Sequence, residues 1–135
     1  MNPDNNYHKK IFDDINKTIL KIYAYSFTVD SFIDGVLEIH GSSDSWQDWS
    51  DEDVIITIKF LVASYICLPT YEFEDPIFRL ASTYEVADVE KLVGVGEEET
   101  VYCIEAKTYV SRGVLIPFFI VAEGISFQVK RYKDL

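Results

Sequence analysis

The chain has 135 residues, a net charge of −11, and 48% hydrophobic and 15% aromatic side chains. That length suits one domain around one core, and so much apolar material excludes a disordered chain. The longest uncharged apolar run, residues 60–71, contains Ser64, Pro69 and Thr70 and is too short and mixed to span a bilayer.

The N-terminus reads MNPDNNYHKK and then turns amphipathic. No apolar stretch follows a basic start, so no secretory signal is visible and a cytoplasmic location is expected. Residues 4–23 read as a helix. Ile11, Ile15, Ile19 and Ile22 recur at spacings of four and three, with Lys9, Lys10, Lys17 and Lys21 mostly opposite. Asp4 or Asn5 could cap its start.

Strands follow. Asp34-Gly35 is a hairpin signal between two apolar stretches, and Val36 to His40 is the clearer of the two strands. Residues 44–53 read as a loop with at most one helical turn. Residues 53–68 form the strongest strand region, with Val54, Ile56, Ile58, Phe60 and Val62 on one face; Pro69 stops it, having no N–H to donate. Residues 72–76 read as a polar connection and Phe78 to Ser82 as a short strand. Val86, Val89 and Val93 suggest a turn or two of helix. Residues 101–110 read as a strand. Residues 114–122 are apolar on both faces, as in a central strand, although Pro117 argues for an edge or a bulge. Ile125, Phe127 and Val129 alternate with polar residues, and the last three runs suggest an antiparallel meander. The expected fold class is α+β, with the N-terminal helix packed on a twisted, mainly antiparallel β-sheet of about five to seven strands.

Between Asp44 and Glu99 stand fourteen acidic and three basic residues, a deficit equal to the whole net charge. Such a field repels nucleic acid and anionic lipid and attracts cationic surfaces. Neither nucleic-acid nor membrane binding is therefore expected. Cys67 and Cys103 lie in apolar, strand-like runs and are expected to be buried free thiols.

Catalytic signatures are scarce. His40 could act as a base with a carboxylate such as Glu38 or Glu105, which would make a small enzyme. Asp44, Asp48, Asp51 and Asp53 do not follow the calcium-loop spacing, and no Cys or His pair suggests zinc; no cofactor and no metal are expected. A third possibility is a structural subunit that pairs with its own copy through residues 114–122.

One segment departs from the rest. GSSDSWQDWSDED places Trp46 and Trp49 among Asp44, Asp48, Asp51, Glu52 and Asp53, with no Lys or Arg. On a helical turn the two indoles would share a face. They could cap the core. They could also anchor a partner, because Trp is enriched at interface hot spots and the acids would meet a partner's cations. Glu72, Glu74 and Asp75 form a second acidic patch.

The stretches VLEIHGSSD and DVIITIKFLVASYICLPTYEFEDPIFRLAS, within residues 36–82, resemble the small immunity proteins of bacterial polymorphic and contact-dependent growth inhibition toxin systems. That resemblance implies stoichiometric inhibition rather than catalysis. It implies a cognate basic toxin domain as partner, with a nuclease as the leading type, bound by the acidic surface in place of nucleic acid.

Overall fold

The computed structural model describes residues 3–42, 54–69 and 72–131. Helix α1 (Pro3–Lys21) is followed by strands β1 (Ser26–Ile33), β2 (Val36–Ser42), β3 (Val54–Leu61), β4 (Tyr65–Cys67) and β5 (Phe73–Leu80). Helix α2 (Thr83–Val93) and strands β6 (Thr100–Thr108), β7 (Ile116–Ala122) and β8 (Gly124–Arg131) complete it. The fold is α+β, with a helix packed on one large antiparallel sheet. The sheet has eight strands, more than the five to seven expected, in the order β4-β7-β6-β5-β1-β2-β3-β8; β4, of three residues, is the short continuation of β3.

That order shows how strongly the sheet curls. Only Glu123 separates β7 from β8, yet β7 pairs with β6 and β4 while β8 pairs with β3. The runs 54–67 and 119–131 are two long, bent strands that stay side by side through the bend. Leu61 faces Gly124 before it and Tyr65 faces Val121 after it, so three residues oppose two. This extra residue bends the ladder as a bulge does. The Ser64 N–H donates to the Val121 carbonyl (2.8 Å), and the Glu123 N–H donates to the Leu61 carbonyl (2.9 Å). Val62 sits at the bend with φ 52°, so it does not continue the apolar face expected for it. The expected meander of the last three strands is likewise replaced: β6 and β7 form a hairpin, but β8 turns away to β3.

Asp34 and Gly35 join β1 to β2 with φ of 53° and 79°. Both are left-handed, as the tight hairpin expected of this dipeptide requires. Pro117 resolves a conflict in the sequence pattern. β7 is central where β4 covers Phe119–Val121, but Pro117 lies beyond β4 and has a described strand on one side only. Among the described residues, β4 covers Phe119–Val121 and leaves Ile116–Phe118 open on that side.

The main core lies on the concave face under α1. Phe12, Ile15 and Ile19 meet Phe27, Leu37, Ile39, Ile56, Ile58, Phe60, Phe73, Phe78, Tyr102, Ile104 and Ile120. Polar contacts also tie the helix to the sheet. Asn16 donates through Nδ2 to the Phe78 carbonyl (2.9 Å) and accepts the Phe78 N–H on Oδ1 (3.0 Å). At the other end, Tyr7 Oη donates to the Ile125 carbonyl (3.2 Å). On the convex face, α2 covers a smaller cluster of Val89, Val101 and Val121, with Tyr65, Val86 and Phe119 around it.

Candidate functional site

The second acidic patch is shaped by a bulge. Between Glu74, opposite Lys107, and Ile77, opposite Glu105, β5 carries two residues where β6 carries one. Asp75 takes φ 50° there, and its N–H donates to the Tyr25 carbonyl (2.9 Å). The irregularity divides the patch. Asp75 accepts from Lys107 Nζ at 3.2 Å and borders a cavity of about 500 Å³ with Tyr23, Tyr25 and Leu115. Glu72 and Glu74 instead border a groove of about 1120 Å³ with Thr28, Val29, Thr108, Tyr109 and Arg112. Expected as one patch, the three acids serve two surfaces. The polar stretch at residues 72–76, expected as a connection, is largely the start of β5.

The groove's chemistry is mixed. Ser26 Oγ donates to Glu72 Oε1 at 2.5 Å, which orients that carboxylate. Tyr109 is 93% exposed and Val110 79% exposed beside it. An apolar hollow of about 430 Å³, bordered by Pro69, Val110, Ile116 and Phe118, shares Glu72, Thr108 and Tyr109 with the groove. Thr108 Oγ1 is buried between the two and has no hydrogen-bond partner among the described residues. An unsatisfied buried hydroxyl of this kind costs about 1–3 kcal/mol. Neither Thr108 nor Tyr109 stood out in the sequence. Their only early signal was position, at the end of an apolar strand before a Ser-Arg-Gly turn.

His40 lies elsewhere, on the convex face of the β1–β2 hairpin, with 13% of its side chain exposed. Its Nδ1 stands 3.7 Å from Asp30 Oδ1 and its Nε2 3.6 Å from Glu38 Oε2. Glu38 is thus the carboxylate beside His40. Glu105 is held elsewhere, accepting from Arg79 Nη2 at 3.3 Å on the α2 side of the sheet. Asp30, not singled out from sequence, completes the cluster: it is the extra residue of a bulge in β1 between Val29 and Ser31, beside the Ser31–Glu38 pair.

Arg79 is the most constrained cation near α2. Its guanidinium forks onto Glu85, Nη1 to Oε1 at 2.6 Å and Nη2 to Oε2 at 3.0 Å. This bond is the main reason the Glu85 carboxyl falls to about 2; the N–H and hydroxyl of Ser82 add to it. Glu85 also closes a capping box, accepting the Ser82 N–H (2.7 Å) while its own N–H donates to Ser82 Oγ (3.2 Å). Every group here is paired within the fold, which marks the cluster as structural.

Cys103 is buried, and burial pushes its thiol up to about 11. Cys67 is exposed, contrary to expectation. It alternates outward with Tyr65 on the short strand β4, whose outer edge carries no described strand. Phe119 of β7 is the register partner of both cysteines, placing them two strands apart, about 9–10 Å by sheet spacing. That separation exceeds disulfide reach.

Trp46, Trp49, Asp44, Asp48, Asp51, Glu52 and Asp53 lie outside the described residues. Among the described residues, no helix is long and apolar enough to cross a membrane. No protein-family model, no curated protein and no solved structure matches the chain.

Proposed function

We propose that this protein binds and neutralises a cognate basic protein, a toxin domain of the nuclease type, in the manner of an immunity protein. The observation that carries this reading is the groove bordered by Glu72 and Glu74. It joins two carboxylates, a fully presented tyrosine, an adjoining apolar hollow and a buried hydroxyl with no partner among the described residues. Among the described residues of its wall, Arg112 is the one cation. A cationic, partly apolar protein surface complements this set: carboxylates meet Lys or Arg, and Tyr109 stacks. The segment with Trp46 and Trp49 extends the same composition, and the resemblance of residues 36–82 to toxin-immunity proteins supplies the biological role. Long-range attraction by the acidic field would speed encounter, and the aromatic contacts would slow release.

The test is capture of the tagged protein from its native cells at low and moderate salt, with the partner then assayed for activity. A basic protein retained at one-to-one stoichiometry, and silenced by the tagged protein, is the expected result. In that complex, Glu72→Gln with Glu74→Gln, and separately Asp48→Asn, Asp51→Asn and Asp53→Asn together, should slow association and flatten its salt dependence. A captured partner whose association ignores both sets of changes would remove the acids from the mechanism.

A further inference from the structure

The geometry points to a binding site for a divalent transition ion of the zinc class on the β1–β2 hairpin, formed by Asp30, Glu38 and His40. One imidazole nitrogen and one oxygen from each carboxylate all lie within 4.8 Å of one another. Imidazole and carboxylate together suit a borderline cation, and three protein ligands with a fourth, open position is a common arrangement for zinc.

The backbone explains the convergence. Glu38 and His40 are two apart on β2 and so share a face. In an unbroken ladder Asp30 alone would stand opposite Glu38. The bulge gives Glu38 two cross-strand neighbours, Asp30 and Ser31, and in this arrangement the Asp30 carboxylate stands 3.7 Å from the imidazole. Bulges commonly re-aim a side chain in this way. Two carboxylates placed across a strand pair repel each other, and a cation between them relieves that repulsion.

Glu38 is oriented for the task. Its Oε2 faces His40 at 3.6 Å, while its Oε1 stands 3.6 Å from Lys59 Nζ on β3. One oxygen is thus turned toward the cluster while a cation holds the other, as outer partners orient metal-ligating carboxylates. Ligand atoms around a tetrahedral zinc stand about 3.3–3.6 Å apart. Closure therefore needs a contraction of about 1 Å, within reach of small side-chain rotations of Asp30 and Glu38. The cluster is distinct from the groove at Glu72 and Glu74, and the inference stands without the proposed toxin partner.

The test uses chelator-treated full-length protein carrying Cys67→Ser, which removes the exposed thiol as a competing ligand. Calorimetric titration with zinc chloride alone should show one saturable equivalent per chain and a higher melting temperature with zinc than without. His40→Gln and Asp30→Asn should each weaken that uptake at least about tenfold. Melting without metal reports whether each variant is folded; Asp30, on the exposed bulge, keeps the test valid should His40→Gln fail to fold. Absence of saturable uptake in the Cys67→Ser protein, or a folded variant binding zinc as tightly as its parent, would overturn the site.

Discussion

The two helices cover opposite faces of one sheet and are held by different physics. α1 lies on the concave face, where Phe12, Ile15 and Ile19 are buried against strands from the whole sheet. Its polar ties are few: Asn16 to Phe78, Tyr7 to Ile125, and buried His8 beside Tyr102, Nε2 to Oη 3.1 Å. Burial pushes the Tyr102 phenol up to about 12, so it stays neutral at ordinary pH. α2 buries only Val89 and is fixed at its first turn by the capping box and the Arg79 fork. The concave face is thus held by area and fit, and the convex face by charge and hydrogen bonds at one point. Dispersed burial resists pH and salt, while a point attachment is sensitive to both.

This contrast can be broken first at its strong side. Ile15 is fully buried in the main core. Ile15→Ala should cost about 2–5 kcal/mol by lost burial and a residual cavity. A denaturant midpoint shifted by less than 1 kcal/mol-equivalent would show that α1 is not integral to the core.

The next test probes fit rather than area. A Cβ on Gly41 would lie 2.2 Å from Cε2 of Phe27, whose ring stacks on Phe73 with centroids 5.8 Å apart. The close approach, not the backbone angle, demands glycine. Gly41→Ala should cost about 1–3 kcal/mol as overpacking does. Combined with Phe27→Leu, it should cost less than the sum of the two single changes, because the clash is with the ring. Strict additivity would place the strain elsewhere.

The smallest effect belongs to the convex face and carries a pH signature. The folded-state value of Glu85, about 2, lies below its ordinary value near 4.5. Its stabilisation is therefore complete above pH 4.5 and is lost as the pH falls through the folded value. Glu85→Gln should cost about 1 kcal/mol at neutral pH, by weakening the fork and the cap. The melting-temperature gap between parent and variant should narrow from pH 4.5 toward pH 2. A gap that holds constant with pH would mean that charge does not secure α2.

Much of this was legible in the order of residues because local rules act over a few positions. Apolar spacing located α1, Asp34-Gly35 located the first hairpin, and strict alternation located β8. Ser82 and Glu85, three apart, carry the capping-box pattern, a second local signal for α2 beside the apolar spacing of Val86, Val89 and Val93. The acidic residues were equally visible, but not their grouping. Neighbours in sequence separate when a bulge intervenes, as Glu74 and Asp75 do. The reverse also holds: Asp30 and His40, ten apart, meet across a hairpin.

By itself, then, the sequence determined the fold class, the helix that covers the core, the first turn and the acidity of the middle of the chain. Each follows from periodicity, turn chemistry or charge, which short stretches express without help. Only the tertiary structure decided that the sheet curls until β8 returns to β3, that Cys67 faces outward, that Thr108 is buried beside the groove, and that Asp30 joins Glu38 and His40. Those outcomes depend on register and bulges. A shift of one residue there moves side chains to another face or another neighbour, and no local pattern records which shift the packed core selects.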